Sequence, residues 1–364
     1  MVKVVLAGGG TAGHTSPLIA TAEALKDADP DVSILCVGTP KGIESKVIPA
    51  AGLDLAMIAP VPLPRTPGVD LFTLPARLVG AVVASRRLLK AHGAQVVAGF
   101  GGYASLPVYL AAASLRIPVV VHEQNALPGL ANKVAARFAV DVCVSFPNTG
   151  LPRQEYTGLP VRKAIATLDR EANRARARAE FGLPQTGPVV LVSGGSQGAQ
   201  RLNKAVAAAM TDVLAAGVSL LHVLGPKNMT PSTMSRTDLG TGAVYQPVAY
   251  VDRMEDAYAA ADLMVGRSGA GTVVETAVVG LPGVFVPLPH GNGEQARNAE
   301  SLVQAGGAVL VPDRDMTAER LLSDVVPLVK DRERLAAMST AGRDLVPGDA
   351  AEVVAGKILA AARA

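Results

Sequence analysis

A histidine directly follows a glycine-rich segment near the start of this 364-residue chain. Residues 8–13 read GGGTAG, come after an apolar run and precede a helical pattern, and His14 is the next residue. A strand that turns through glycines into a helix brings backbone N–H groups and the positive end of the helix dipole to a phosphate. An imidazole with an ordinary pKa of about 6.5 suits a general base. We therefore predict that His14 accepts a proton from an attacking hydroxyl; a helix-capping role is the alternative.

A second glycine segment, residues 194–198, has the same spelling, G-G-(T/S)-x-G, and also lies between an apolar run and a helical pattern. One such unit is weak evidence for a phosphate site, but two copies about a domain's length apart are stronger. They predict an α/β protein with two Rossmann-like, parallel-sheet domains that face each other across a cleft.

Residues 262–265 read as a strand and lead into the sequence RSGAGT, followed by a helix. The first N–H groups of that helix, at Ala270, Gly271 and Thr272, are expected to hold a diphosphate. Glu275 follows about one turn later, where its carboxylate suits the two hydroxyls of a ribose.

Carboxamides and other polar groups mark three further segments. Gln295 and Asn298 lie three residues apart on one helix face, and their mixed donors and acceptors suit sugar hydroxyls; a capped surface helix is the alternative. The sequence HEQN at 122–125 and the segment 100–105 each follow a buried strand. Ligands of open α/β sheets bind beyond that end, although ordinary loop chemistry also explains these residues.

Composition excludes several classes of protein. With 49% hydrophobic and 18% charged residues the chain is neither disordered nor fibrous, while 3% aromatic residues and a net charge of +3 disfavour a nucleic-acid partner. The second strand ends at Gly38-Thr39 without the acid that a nicotinamide dinucleotide requires.

Cys36 and Cys143 read as buried thiols of a reducing compartment. The chain enters its first strand directly and contains no long apolar run, which predicts a cytoplasmic location, in solution or at a membrane surface.

Strand-like runs alternate with helical stretches in both halves of the chain. In the first half they cover residues 2–7, 33–37, 55–59, 96–98, 119–122 and 140–145. In the second half they cover residues 189–192, 220–224, 243–245, 262–265, 284–286 and 308–311. This pattern predicts an acceptor and membrane-associating domain over residues 1–161 and a donor domain over 162–346, with a C-terminal helix, 347–364, that joins the first domain.

Residues 65–90 depart from this rhythm, because an apolar helical stretch there is accompanied by arginines. A packing helix with solvated arginines is one reading, and a helix at an anionic membrane surface is the other. The residues that would meet the membrane are Leu71, Phe72, Leu74, Arg77, Arg86 and Arg87.

Together, these motifs resemble the MurG family of peptidoglycan glycosyltransferases over nearly the whole chain. The segments that carry the resemblance are GGGTAGH (8–14), GGYAS (101–105), HEQN (122–125), GGSQGA (194–199), RSGAGT (267–272) with Glu275, and EQARNA (294–299). The resemblance implies the GT-B fold and transfer of N-acetylglucosamine from UDP-GlcNAc to the C4 hydroxyl of N-acetylmuramic acid in lipid I, with inversion, giving lipid II. It also implies work at the cytoplasmic face of the cell membrane, which favours the membrane reading of residues 65–90, and contact with other cell-wall synthesis proteins.

The resemblance assigns roles to single residues, with His14 as the base. The implied donor-binding residues are Thr11, Ala12, Gly13, Asn125, Arg162, Ser196, Val251, Ala270, Gly271, Thr272, Glu275, Gln295 and Asn298. The implied acceptor-binding residues are Gly9, Gly10, Gly102, Tyr103 and Glu123. Arg267, backbone amides and a helix dipole are expected to stabilise the leaving UDP; since no D-x-D motif occurs, no metal or cofactor is expected to be required. Two departures from the family pattern, Glu294 and Leu159, put a sugar contact and a hinge amide in question.

Three other functions share parts of this pattern. A UDP-sugar transferase of the same fold with another acceptor would keep the segment 267–275. A UDP-GlcNAc 2-epimerase would act without any acceptor. A nucleotide-sugar sensor or scaffold would not need His14.

Overall fold

The computed structural model describes residues 1–61, 69–195, 198–231, 233–290 and 292–364, with backbone only for Ala12 and residues 69–72. The chain divides into two compact units. Unit 1 comprises Met1–Lys163 and Gly348–Ala364, and unit 2 comprises Ala164–Pro347. Each unit is a parallel α/β layer structure, which confirms the predicted two-sheet fold class.

Unit 1 alternates strands and helices from its first residues. Its strands are β1 (Lys3–Ala7), β2 (Ser33–Gly38), β3 (Asp54–Met57), β4 (Val96–Gly99), β5 (Val119–Glu123), β6 (Asp141–Val144) and β7 (Gln154–Tyr156). Its helices before residue 163 are α1 (Ala12–Ala28), α2 (Glu44–Ala50), α3 (Val69–His92), α4 (Ser105–Ser114) and α5 (Leu130–Ala135).

Unit 2 repeats the alternation. Its strands are β8 (Val189–Ser193), β9 (Ser219–Val223), β10 (Arg236–Thr237), β11 (Val244–Val248), β12 (Leu263–Gly266), β13 (Gly283–Phe285) and β14 (Ala308–Leu310). The helices from the linker onward are α6 (Lys163–Ala166), α7 (Arg170–Glu180), α8 (Gln200–Ala215), α9 (Met254–Ala260), α10 (Ala270–Val278), α11 (Glu294–Gln304), α12 (Ala318–Arg320), α13 (Val326–Lys330), α14 (Arg332–Leu345) and α15 (Ala350–Arg363), the last of which belongs to unit 1.

The described residues form two sheets with strand orders β3-β2-β1-β4-β5-β6-β7 and β10-β11-β9-β8-β12-β13-β14. Every neighbouring pair of strands is parallel except β10 with β11. The central strands are buried along their length. Their sequences are continuous apolar runs, which is typical of strands that helices cover on both faces. The sequence pattern missed β7 and β10, which are short, polar edge strands.

In each sheet the strand order reverses beside the first strand. β1 lies between β2 and β4, and β8 lies between β9 and β12. Ligands of open α/β sheets bind outside the carboxyl ends of the strands at such a point. In unit 1 these ends lead into the segments 8–13 and 100–105; in unit 2 they lead into 194–198 and 267–272. The topology therefore brings the predicted site segments together in pairs within each unit.

The C-terminal helix α15 packs on α1 and against β4 and β5. Val354, Ala355 and Ile358 of this helix are fully buried in the core of unit 1. Among the helices of the described ranges, none is long and apolar enough to cross a bilayer.

Candidate functional site

The first glycine segment encloses a carboxylate that the sequence analysis did not single out. Glu44, the first residue of α2, is fully buried, and its Oε2 accepts a 2.8 Å hydrogen bond from the N–H of Gly10. Its Oε1 accepts bonds from the N–H of Thr39 at 2.9 Å and the hydroxyl of Thr39 at 2.8 Å. Cβ atoms added at Gly9 or Gly42 would lie 2.3 and 1.9 Å from a carboxylate oxygen. Glycine is therefore required here to make room for Glu44.

Burial alone would raise the pKa of the Glu44 carboxyl, but the donors at Gly10 and Thr39 outweigh burial and hold that pKa below its ordinary value. Glu44 is thus an anion at neutral pH. The N–H of Gly10 points at this internal anion, so the glycine segment of unit 1 differs from the open phosphate loop that its spelling predicted.

His14 lies in the first turn of α1 and is half-buried. Its Nδ1 forms a 2.7 Å hydrogen bond with the hydroxyl of Thr11, the residue that caps the helix. Burial lowers the pKa of His14 to about 4, against an opposing effect of the Glu44 charge. This value corrects the ordinary pKa assumed above. The imidazole is therefore neutral at physiological pH and can accept a proton, but it is a weaker base than an ordinary histidine, a loss that the charge of Glu44 partly opposes.

The segment 101–103 packs directly against the first glycine segment. Gly102 has a φ of +86°, and a Cβ there would lie 2.1 Å from the carbonyl oxygen of Gly9. Gly101 approaches the His14 ring so closely that a Cβ would lie 3.1 Å from its Cδ2. Tyr103 is 48% exposed, with its ring beside Gly10. The structure therefore gathers four of the five predicted acceptor residues and the predicted base at one corner of unit 1.

Glu123, the fifth predicted acceptor residue, is almost completely buried at the end of β5. Its carboxylate accepts hydrogen bonds from the N–H of Asn125 at 3.0 Å, the N–H of Gly129 at 2.9 Å and Nδ2 of Asn132 at 2.9 Å. Asn132 in turn accepts a 2.8 Å bond from the hydroxyl of Tyr109. This network fixes the loop that carries Asn125, so the geometry gives Glu123 a positioning role.

In unit 2, helix α10 begins at the predicted diphosphate site. Gly269 precedes the helix in an extended conformation, and Ala270, Gly271 and Thr272 form its first turn. The first N–H groups of a helix have no acceptor within it, and no acidic side chain lies in this first turn. Helix geometry, a partial positive charge and glycine at the entry together make this end suited to an anion.

Glu275 lies in the second turn of α10 and is half-buried. Its Oε2 accepts a 2.7 Å hydrogen bond from the hydroxyl of Tyr258 on α9, a residue absent from the sequence prediction. Val251, one of the implied donor-binding residues, lies just before α9 and is buried with Tyr258 in the same core cluster.

Arg267 makes internal contacts that the sequence did not predict. One guanidinium nitrogen donates to the carbonyls of Val286 and Pro287 and, at 2.7 Å, to the carboxylate of Asp313. Asp313 also accepts a 2.9 Å bond from Arg201 at the start of α8. The expectation that Arg267 stabilises a leaving diphosphate stays a prediction, because Asp313 pairs with both Arg267 and Arg201 and the three side chains keep one net positive charge. Together the three side chains tie the segments that follow β8 and β12.

The predicted sugar-binding amides are part of α11. Oε1 of Gln295 accepts a 2.9 Å bond from the N–H of Leu288, which leaves the half-buried side chain beside the preceding loop. Asn298 is fully buried, and its Nδ2 donates to the carbonyl of Ser268 at 3.4 Å. Asn298 therefore supports the segment that leads into α10. Arg162 belongs to unit 1 and is half-buried, while Ser196 lies outside the described residues.

Helix α3 presents an apolar face to the surface. Val79 and Val83 are 63% and 42% exposed, while Leu89 on the opposite face is buried. Of the predicted membrane residues, Leu74 and Arg86 are half-buried, Arg77 and Arg87 are exposed, and the side chains of Leu71 and Phe72 lie outside the described part of the chain.

Two domain families match the chain. The glycosyltransferase family 28 N-terminal domain matches residues 4–144, and the glycosyltransferase family 28 C-terminal domain matches residues 189–351. Both matches fall on the alternating strands and helices that carry the segments described above.

Two relatives are similar over almost their full lengths. A protein of Cutibacterium acnes (strain DSM 16379 / KPA171202) named UDP-N-acetylglucosamine--N-acetylmuramyl-(pentapeptide) pyrophosphoryl-undecaprenol N-acetylglucosamine transferase is 58% identical, over 100% of this chain and 98% of its own. A protein of the same name from Nocardioides sp. (strain ATCC BAA-499 / JS614) is 54% identical over 98% of each chain. The crystal structure of Acinetobacter baumannii MurG is similar with a TM-score of 0.76 and 27% identity, over 99% of this chain and 100% of that one.

Proposed function

Because this chain belongs to glycosyltransferase family 28, we propose a division of one transfer reaction between its two units. The protein transfers N-acetylglucosamine from UDP-N-acetylglucosamine to the C4 hydroxyl of N-acetylmuramyl-(pentapeptide) pyrophosphoryl-undecaprenol, lipid I, with inversion, and forms lipid II. The 58% identity over the whole chain to a protein of that name carries this assignment. The activity that the sequence resemblance implied is thereby confirmed, in place of an epimerase, a scaffold or a transferase with another acceptor.

The donor is assigned mainly to unit 2, with a smaller set of residues from unit 1. We propose that the amides of Ala270, Gly271 and Thr272 hold the diphosphate, where the helix dipole favours negative charge. Glu275 accepts hydrogen bonds from the ribose, and Val251 contacts the uracil. The proposed donor set also includes Thr11, Ala12, Gly13, Asn125, Arg162, Ser196, Gln295 and Asn298. Asn298 supports the donor site indirectly, because its buried amide donates to the carbonyl of Ser268 in the segment that leads into α10.

The acceptor and the base are assigned to unit 1. His14 removes the proton of the C4 hydroxyl as its oxygen attacks the anomeric carbon, and the bond from that carbon to the UDP oxygen breaks. The neutral imidazole accepts the proton, and the Glu44 anion stabilises the resulting positive charge. We propose that negative charge on the departing UDP meets the amides of α10 and the net positive charge of the cluster of Arg267, Arg201 and Asp313.

A transfer assay with labelled UDP-GlcNAc and a lipid I analogue tests the assignment. We expect His14→Ala to lower kcat about 100-fold or more with a nearly unchanged donor KM, as loss of a general base does. We expect Glu275→Ala to raise the donor KM with a smaller change in kcat. Wild-type turnover in His14→Ala would remove the base assignment, and an unchanged donor KM in Glu275→Ala would remove the ribose assignment.

We further propose that α3 holds unit 1 at the cytoplasmic face of the membrane. The exposed valines at 79 and 83 and the exposed arginines at 77 and 87 combine apolar surface with positive charge, which suits an anionic bilayer.

Vesicles of anionic lipid test this surface by co-sedimentation. Replacing Val79 and Val83 with Ser should lower the bound fraction, and so should replacing Leu71, Phe72 and Leu74 with Ser. Leu239→Ser, at a 97% exposed position of unit 2, is the control and should bind as the wild type does. Equal binding by all four proteins would refute the proposed membrane surface.

A further inference from the structure

A buried tyrosine holds the carboxylate that is assigned to the ribose. Tyr258 is only 1% exposed, and its hydroxyl donates to Oε2 of Glu275 at 2.7 Å. Glu275 is itself half-buried, so its carboxylate lies between the core of unit 2 and the surface. The tyrosine thus meets the carboxylate from the side of the protein interior.

The two helices that carry this pair, α9 and α10, are joined to each other at their carboxyl ends. The guanidinium of Arg170 donates to the carbonyl of Tyr258 at 3.0 Å, to that of Ala261 at 2.5 Å and to that of Gly280 at 2.8 Å. Tyr258 and Ala261 lie at the end of α9, and Gly280 follows α10. One side chain therefore links the ends of α9 and α10, the two helices that carry the tyrosine hydroxyl and the carboxylate.

We propose that Tyr258 is a positioning residue for recognition of the ribose hydroxyls in the donor. A carboxylate on a flexible side chain can rotate, and it loses conformational entropy when a diol binds. The hydrogen bond from Tyr258 fixes the plane of the carboxylate before the donor arrives. Glu275 then accepts bonds from the two hydroxyls at little further cost, and a nucleotide without them gains nothing from this arrangement.

This inference rests on the proposed function of Glu275 and deepens it. It predicts that the chain distinguishes ribonucleotides from nucleotides without sugar hydroxyls, and that this preference depends on a residue that does not touch the ligand. A site built to bond hydroxyl groups discriminates strongly against analogues that lack them.

Calorimetric titration with UDP and with 2′,3′-dideoxy-UDP tests the inference on the full chain. Wild type should prefer UDP. Tyr258→Phe should weaken UDP binding about fivefold to tenfold and change dideoxy-UDP binding less than twofold, because only the hydroxyl is removed. At saturating donor, kcat of Tyr258→Phe should stay near the wild-type value. Tyr245→Phe is the matched control, since it removes another hydroxyl of unit 2, one bonded to Nδ1 of His222.

The outcomes separate the two proposals. If Glu275→Ala keeps the preference for UDP, the assignment of Glu275 to the ribose fails. If Glu275→Ala abolishes the preference while Tyr258→Phe retains it, the assignment of Glu275 stands and the role of Tyr258 is overturned. If Tyr258→Phe weakens the binding of UDP and of dideoxy-UDP equally, the hydroxyl stabilises the fold and does not position the carboxylate. The role of Tyr258 is then again overturned.

Discussion

The glycine segment after β1 in unit 1 and the glycine-containing segment after β12 in unit 2 differ in how they meet negative charge. In unit 1 the N–H of Gly10 is bonded to Glu44, an anion that the protein itself supplies. In unit 2 the first turn of α10, from Ala270 to Thr272, contains no acidic side chain. Residues 8–13 therefore surround an internal carboxylate that α2 supplies, whereas we propose that the first turn of α10 receives an external anion.

This difference suits the two halves of the reaction. Burial lowers the pKa of His14, and the negative charge of Glu44 opposes part of that lowering, which suits a site where a proton is taken up. The start of α10 offers partial positive charge, which suits a site where a diphosphate departs. Glycines close to a strand end thus indicate close backbone packing, but they do not reveal which group occupies the space.

Among the changes that test this difference between the units, the largest expected effect comes from Glu44→Gln, which removes the internal anion but keeps its volume. The new amide must turn its NH2 group toward the N–H of Gly10 or of Thr39, so a donor faces a donor. We expect unfolding to be easier by about 1–3 kcal/mol and kcat/KM for the lipid acceptor to fall at least about tenfold. Affinity for UDP, assigned to unit 2, should change less than twofold.

Steady-state kinetics with each substrate and calorimetry with UDP measure these effects. Glu23→Gln, at an exposed position on α1, is the control. Wild-type acceptor kinetics in Glu44→Gln would show that the internal carboxylate of unit 1 does not serve the acceptor site.

A smaller effect concerns buried histidines, one in each unit. Burial lowers the pKa of His122 and of His222 to about 4. These histidines become protonated below about pH 6.5 in the unfolded chain but only below about pH 4 in the folded chain. The free energy of unfolding therefore falls as the pH decreases from about 6.5 to about 4. Each histidine should lower the free energy of unfolding by about 1.4 kcal/mol at pH 5.5 relative to neutral pH.

Urea denaturation at pH 7.5 and 5.5 measures this loss. His222→Gln should reduce the pH dependence of unit 2 by about 1.4 kcal/mol and leave that of unit 1 unchanged. His290→Gln, at an exposed position, is the control. An unchanged pH dependence in His222→Gln would contradict the linkage.

The smallest expected effect comes from Asp313→Asn in unit 2. This change removes the negative charge that pairs with both Arg267 and Arg201 but keeps an oxygen acceptor. We expect the donor KM to rise about threefold with kcat within twofold, since the segments after β8 and β12 lose part of their connection. Asp315→Asn, two residues away and partly exposed, should show neither change. A raised acceptor KM in Asp313→Asn would contradict the assignment of this cluster to the donor.

The sequence predicted the central strands and the helices after the glycine segments, but it missed the residues that fill the space between them. β1, β4 and β8 were found because a strand covered on both faces must be apolar along its length. β7 and β10 were missed because edge strands are short and polar. Of the residues near the sites, His14 and Glu275 stood beside recognisable glycine motifs.

Glu44, Tyr258 and Asp313 stood beside no such motif. Glu44 is 34 residues from Gly10, and Tyr258 is 17 residues from Glu275. Their roles depend on contacts between elements, and the local pattern around each of them is ordinary.

The sequence by itself determined the order of strands and helices and the places where the backbone approaches a neighbour closely, because apolar periodicity and glycine act within a few residues. Tertiary structure alone decided that β1 lies beside β4 and β8 beside β12, and therefore which side chains meet at each strand end. Charge compensation follows from those meetings. For that reason, whether a glycine segment is filled by the protein's own carboxylate or left for a ligand is settled only when distant segments pack together.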